Sequence, residues 1–391
     1  MSEQAPVCVV GAGAVGCALA WELARQGREV FVVEKNPGVS QGENQSSRNS
    51  GVIHAGLYYD PETRPLKASL CPRGVELLYD FCARHDVSHR RCGKLVVAVR
   101  DEELPVLELY RQRALNNGVP AEIISGGRAR EMEPNLAAAA ALHLPTSGVI
   151  DAAAFVHRLY ALASNAGATF LTQTALTGVE RGPDGLNLTV TYRDGASDSF
   201  AAGLLVNSAG LYSDEVARLA DPASPYAVDP VRGEAVKFYR GKRPELGLSG
   251  MNLYPTPHKL VTHQGAYFTV GVHITPTLET GPDGQGQTGP VVTVCPLQRP
   301  ARHKEEYGGD FHPMAEFHRR VAGFFPGLRA DDLEPHQVGI QARLIGHQDW
   351  VIEFSPHEPR CLNLLGIDSP GLTASLAIAE KARQMLEMAG R

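Results

Sequence analysis

The chain has no basic run, no CxxC pair and no apolar stretch of membrane-spanning length, and each absence closes off a class of function. With 37 Lys and Arg against 43 Asp and Glu, the net charge is −6, which argues against a nucleic-acid groove. The seven cysteines (8, 17, 71, 82, 92, 295 and 361) are odd in number and read as reduced thiols rather than a disulfide framework. Only six residues precede the first apolar run at Val7, so no signal peptide is expected. The expectation is a cytoplasmic protein without a transmembrane segment, with peripheral membrane contact left open. Among fourteen histidines, His85 and His89 are four apart, but nothing nearby completes a ligand set and no metal is expected.

What the sequence does carry is concentrated at its start. Val7-Cys8-Val9-Val10 reads as a buried parallel strand. It meets Gly11-Ala12-Gly13-Ala14-Val15-Gly16, after which Leu19 and Leu23 fall at helical spacing and Gly27 stops the helix. A second run, Val30-Phe31-Val32-Val33, ends on Glu34-Lys35. Strand, glycine turn, helix, strand and acid at this spacing are the layout of a dinucleotide-binding βαβ unit. Gly11 permits the turn, Gly13 lets a pyrophosphate approach bare backbone, and Gly16 lets the helix lie close on the strand. The helix N-terminus offers N–H groups and partial positive charge to a diphosphate. Glu34 would accept hydrogen bonds from ribose hydroxyls. The expected ligand carries an adenosine diphosphate.

A length of 391 residues allows two or three domains at ~150 residues each. Beyond Glu34 the chain enters a polar loop, 41–51, whose Ser47-Arg48-Asn49-Ser50-Gly51 runs into Val52-Ile53-His54. Its side chains suit phosphate or ribose oxygens and its small residues let backbone pass a flat ring; a plain surface loop is the alternative. Helices are expected over 73–90 and 102–117 around a strand Lys94–Val99, and from Ala152 to about Ala166 with Asp151 as cap. Strands follow at Thr169–Thr172, Ala175–Arg181 and Leu204–Val206, the last running into Ala209-Gly210. Residues 228–300 read as an antiparallel sheet with strands Glu234–Tyr239, Leu253–Thr256, Lys259–His263, Ala266–Ile274 and Val291–Cys295. Glu279–Pro290, rich in Gly, Gln and Thr, reads as a loop without chemistry. Phe311–Phe324 is patterned as an amphipathic helix, and the chain closes on a strand, the bend Ser369-Pro370-Gly371-Leu372-Thr373 and a last helix.

Ser47-Arg48-Asn49-Ser50-Gly51-Val52-Ile53-His54-Ala55-Gly56 resembles the flavin-side loop of FAD-dependent oxidoreductases of the D-amino-acid-oxidase superfamily. It is most similar to the L-2-hydroxyglutarate dehydrogenase/oxidase group, which reads NSGVIH(S/A)G(I/L)YY here. Leu66–Cys71, Arg91–Ala98, Arg232-Gly233-Glu234, Val270–Thr275 and the closing bend extend the likeness along nearly the whole chain. It departs at Val294-Cys295-Pro296, where relatives read GP(N/D), and at Gln341, where an arginine is common and Arg343 stands two residues later. The resemblance implies an α/β fold in which a Rossmann-like FAD domain over 1–72, 143–218 and 330–391 is interleaved with an antiparallel-sheet substrate domain over 73–142 and 219–329. It implies further FAD contacts at Val52 and His54, at Val179 against the adenine and at Ala209-Gly210 under the diphosphate. Ser369, Gly371, Leu372 and Thr373 would face the pyrimidine end, where helix N–H groups stabilise the anionic reduced ring.

The activity implied is oxidation of the α-carbon of a small, L-2-hydroxyglutarate-like 2-hydroxy acid, with hydride passing to flavin N5. An amine or amino-acid oxidase of the glycine, sarcosine or D-amino-acid type is the alternative on the same fold. A non-redox flavoprotein or RNA-modifying module is a third, against which the acidic charge speaks. A base working near neutral pH points to histidine. His54 is the first choice and His273 the second, with His54 otherwise only a contact to the flavin. Arg343, Tyr254, Tyr267 and Lys67 are candidates for the substrate carboxylate, Arg343 reading equally as an ion-paired arginine. The electron acceptor is left as oxygen, a quinone or a carrier flavoprotein.

Overall fold

The computed structural model describes residues 6–39, 44–183, 185–262, 265–281 and 286–390, with backbone alone at 259–262, 265–269 and 280. One six-stranded sheet runs Val351–Phe354, Cys361–Leu365, Leu204–Asn207, Val7–Val10, Val30–Val33, Thr169–Leu171. Its last five strands are parallel and its first is an antiparallel edge. Val7, Val9, Val30 and Val32 pack in a core with helices Ala14–Ala24, Pro65–Arg84, Ala152–Asn165 and Gly371–Met388. Cys8, Val10 and Val33 pack on the other face with the antiparallel sheet Thr174–Arg181, Leu186–Tyr192, Ser197–Ala202. Because both faces are covered, the polar alternation disappears and these strands read as unbroken apolar runs.

A second sheet has eight strands in the order Glu334–Leu344, Val228–Tyr239, Gly286–Pro300, His273–Thr280, Asn252–Pro255, Lys94–Ala98, Ala140–Leu144, Glu122–Ser125. The sequence pattern predicts it antiparallel throughout, but Asn252–Pro255 runs parallel to Lys94–Ala98. The architecture is α/β, a Rossmann-like parallel sheet interleaved with this larger sheet.

Several predicted boundaries move. The helix expected over 73–90 spans Pro65–Arg84 and carries Pro72 inside it. A proline inside a helix removes one intrahelical bond, but Cys71, Val75 and Leu78 on either side of it are buried and hold the helix through it. The expected strand Ala266–Ile274 is two: Gly265–Thr269 pairs with His258–Thr262, and His273–Thr280 joins the large sheet. The break lies at Gly271, whose φ of +70° favours glycine and whose Cβ would sit 2.8 Å from Pro255. Most of Glu279–Pro290 is strand rather than loop, with 282–285 outside the described residues. The helix patterned over Phe311–Phe324 is shorter, Met314–Val321.

The division into segments also differs. Helix Pro65–Arg84 crosses the cut at 72 and shares its core with the C-terminal helix, and Glu334–Leu344 belongs to the eight-stranded sheet. Among the described residues no helix is long and apolar enough to cross a membrane.

Candidate active site

A cavity of about 1490 Å³ lies against the carboxyl ends of the parallel strands and reaches the large sheet, the crevice where open α/β sheets bind ligands. At one end Gly11, Gly13, Ala14 and Val15 form its wall. The fit for a diphosphate is tight backbone-to-backbone. A Cβ on Gly11 would stand 2.6 Å from the Ser208 carbonyl, and one on Gly16 would stand 1.8 Å from the Gly11 carbonyl. Ser46 Oγ accepts from the Ala14 amide at 2.9 Å, so the loop caps the helix that opens the cradle. Glu34 is buried, and its carboxylate takes the amides of Ala12 and Asn36 at 2.8 Å each. Burial raises its pKa, against the pull of those two amides and the Lys35 charge.

The polar loop reaches the same cavity through Arg48, Asn49, Ser50, Val52 and His54. Arg48 stacks on Tyr307, its guanidinium carbon 4.3 Å from the ring centroid, and donates to the Val338 carbonyl. Lys35 lies 3.6 Å over the Tyr212 ring and pairs with Glu305. Ala209, Gly210, Ser369, Gly371 and Leu372 also border the cavity. The C-terminal helix thus presents there its first turn, whose leading amides have no intrahelical acceptor.

At the far end two histidines meet the cavity. His54 Nε2 lies 3.2 Å from Ser369 Oγ, and its backbone amide donates to Thr373 Oγ1 at 3.1 Å. Its Nδ1 is buried without a partner among the described residues. Burial, then the charges of Lys94 and His273, hold its pKa well below the usual imidazole range. His273 Nδ1 lies 3.3 Å from the Gly271 carbonyl, which leaves Nε2 as the bare ring nitrogen when Nδ1 carries the proton. Burial, then Lys94, lowers His273 to about 3.

Behind His273, Tyr254 stacks at 3.9 Å and 9° between planes, and Lys94 Nζ lies 3.8 Å over the Tyr254 ring. Lys94 is fully buried with no hydrogen-bond partner among the described residues. Burial lowers its pKa to about 7, the Cys71 and Cys92 thiols pulling the other way.

Not every expected contact borders the cavity. Ala12 spends its amide on Glu34, and Gly16 is sealed under the Gly11 carbonyl. Ser47 turns back to the Asn44 carbonyl, and Gly51 packs on Ile150. Val179 lies beyond a bulge at Leu176/Gly178, so the bordering residues of that strand are Thr174 to Thr177 instead. Thr373 is buried and holds His54, and Tyr254 sits behind His273. The Tyr267 side chain lies outside the described residues.

Lys67 and Arg343 do reach the cavity, but neither cation is free. Lys67 pairs with Asp368 at 2.7 Å, while Arg343 donates to Gln341 and leans on Asp368 at 3.6 Å. Ser46, Arg64, Asp368 and Lys94 escaped the sequence reading. Ser46 stood in the polar run already singled out, and Asp368 beside the closing bend.

A family model described as FAD dependent oxidoreductase matches residues 6–385. Among curated relatives, the L-2-hydroxyglutarate dehydrogenase, mitochondrial, of Arabidopsis thaliana is 33% identical, covering 97% of this chain and 82% of its own. The human enzyme of that name is 32% identical, with 98% and 89% covered. Both names carry "mitochondrial", which overturns the expectation of a cytoplasmic protein. Among solved structures, dithionite-reduced L-alpha-glycerophosphate oxidase from Mycoplasma pneumoniae with FAD bound has a TM-score of 0.82 at 24% identity, with 98% of this chain and 94% of that one covered. Glycine oxidase from Geobacillus kaustophilus scores 0.78 at 21% identity, with 99% and 95% covered. At these identities the structures speak to the fold.

Proposed function

The chain belongs to the FAD dependent oxidoreductase family, and we propose that it oxidises the α-carbon of a 2-hydroxy acid of the L-2-hydroxyglutarate type. The relatives' names supply the substrate class. The observation that carries the reading is the pair His54 and His273, two imidazoles held neutral on one wall of a cavity whose opposite end is the glycine cradle.

The residues fit FAD along the length of the cavity. Gly11 to Val15 would hold its diphosphate, Glu34 its ribose, and the Ser369–Leu372 turn its ring. Bound FAD supplies the two-electron acceptor for the substrate's α-hydrogen.

The chain's own residues do the proton work. His54 accepts the hydroxyl proton at Nε2, the nitrogen it shares with Ser369. Its basicity rises when the substrate's carboxylates enter, because nearby negative charge favours the imidazolium. His273 Nε2, kept bare by its Nδ1–H bond to Gly271, is the second acceptor that could take this proton in place of His54. Arg343, though partly engaged by Gln341, stands at the cavity wall as a positive group for the substrate's proximal carboxylate.

Anaerobic mixing of the purified yellow protein with 2-hydroxy and 2-amino acids tests this. Bleaching by 2-hydroxyglutarate and not by glycine or sarcosine supports it; bleaching by amino acids alone sinks it in favour of the amine-oxidising alternative. Admitting air then reads the acceptor: fast return of colour marks oxygen, slow return a quinone or carrier flavoprotein.

A further inference from the structure

The wall of the cavity carries several cations, and most are already answered. Asp368 pairs with Lys67, Asp60 pairs with Arg113 at 2.9 Å, and Arg343 is engaged by Gln341. Arg64 differs. Its residue borders the cavity, its side chain is half-buried, and it has no carboxylate or hydrogen-bond partner among the described residues.

Its position is fixed from both sides. The Arg64 amide donates to the Asp60 carbonyl at 2.7 Å, closing a turn, and Pro65 begins the helix that runs on to Arg84. The Arg64 charge is close enough to favour ionisation of the buried Tyr59 and Tyr110 hydroxyls. A guanidinium at the cavity wall without an anion is suited to a carboxylate, whose two oxygens its fork can take.

We propose that Arg64 receives the distal carboxylate of the substrate, and so selects a dicarboxylic 2-hydroxy acid over a monocarboxylic one. This rests on the 2-hydroxy-acid reading above and adds to it a residue for specificity. The proximal carboxylate stays with Arg343 and the hydroxyl with the histidines, so Arg64 acts on binding and not on the proton.

The test compares kcat/KM for L-2-hydroxyglutarate with that for L-2-hydroxybutyrate in holoenzyme. Arg64→Gln should lower the dicarboxylate-to-monocarboxylate ratio by about 10- to 100-fold, through KM for the dicarboxylate, as expected for loss of a charged hydrogen-bonded contact. Arg64→Lys keeps the charge and loses the fork, and should lower the ratio by at least about threefold. Flavin content and Tm certify that each variant is folded. A ratio equal to that of the unmutated enzyme, in whichever variant keeps its flavin, overturns the proposal. Unmutated enzyme that bleaches with no 2-hydroxy acid sinks the functional reading itself and takes this one with it, a result distinguishable before any variant is made.

Discussion

The hydroxyl of Ser369 lies 3.2 Å from Nε2 of His54, although 315 positions separate the two residues. Four residues after Ser369, Thr373 Oγ1 accepts the His54 amide and donates to the Val52 carbonyl. The C-terminal helix therefore fixes both the backbone and the ring of the imidazole. A base held from two sides loses little freedom when it takes up a proton, which is how positioning lowers a barrier.

His54→Gln keeps a hydrogen-bonding side chain of similar reach and removes the titrating nitrogen. Anaerobic flavin reduction by L-2-hydroxyglutarate should slow by ~10²-fold or more, the usual worth of a general base. Flavin content should stay near that of the unmutated protein. Reduction at an undiminished rate would take His54 out of the proton step and leave His273 as the base.

Lys94 makes stability depend on pH in a stated direction. Its folded pKa is about 7 while the unfolded chain has an ordinary lysine. Between about 7 and 10.5 the unfolded state holds a proton the folded state has released, so this group's contribution to stability rises with pH across that window. Below about 7 the buried amine must be charged, and its penalty is present in full. Lys94→Met should therefore raise Tm by ~2 °C or more at pH 6.5, with the gain shrinking toward pH 10. Melting curves of both proteins at four pH values decide it; a variant that melts lower at pH 6.5 contradicts the assignment.

What could be read in advance follows from how local each feature is. Gly11, Gly13, Gly16 and Glu34 act within one strand-turn-helix-strand unit, so spacing along the chain is spacing in the fold. Lys94, Tyr254 and His273 come together through the register of three strands, and no local pattern carries that. The resemblance assigns Val179 to the adenine, but it lies beyond a bulge at Leu176/Gly178 and does not border the cavity. The helix expected from residue 73 begins at Pro65 and runs through Pro72, because a buried interface outweighs the low helix propensity of proline. Lys67 was legible as a cation near the site, while its partner Asp368, 301 positions away, was not.

Two glycines of the cradle should fail differently when changed to alanine. Gly16→Ala drives a Cβ into the Gly11 carbonyl, 1.8 Å away, with Ser208 Oγ at 2.8 Å. Backbone must shift, and a cost of ~1–3 kcal/mol in folding stability is expected. Gly13→Ala meets only Ser46 Oγ, at 3.0 Å, the end of a side chain that can rotate. It should leave the apoprotein's Tm nearly unchanged and weaken FAD, because the new methyl stands where the diphosphate would approach. Denaturation midpoints and FAD titration of the two apoproteins separate these outcomes; equal loss of Tm in both would contradict the difference in contacts.

Lys67 tests whether a cation at the cavity wall is structural or faces substrate. Its ammonium lies 2.7 Å from Asp368 Oδ1, and both side chains are 9% exposed. Without it, Asp368 keeps the Trp350 indole N–H at 3.2 Å and Arg343 at 3.6 Å. That is partial compensation for a buried carboxylate, so Lys67→Met should cost ~3 kcal/mol, the lower end for breaking a buried pair. Asp368→Asn strands the ammonium and should cost a similar amount. The double variant has neither charge to strand and should recover at least ~1 kcal/mol relative to the sum of the singles, since residues in direct contact are not additive. Urea unfolding of the four proteins gives the cycle. Additive losses would mean that the pair contributes no mutual stabilisation, which would contradict the assignment of Lys67 to a structural ion pair with Asp368.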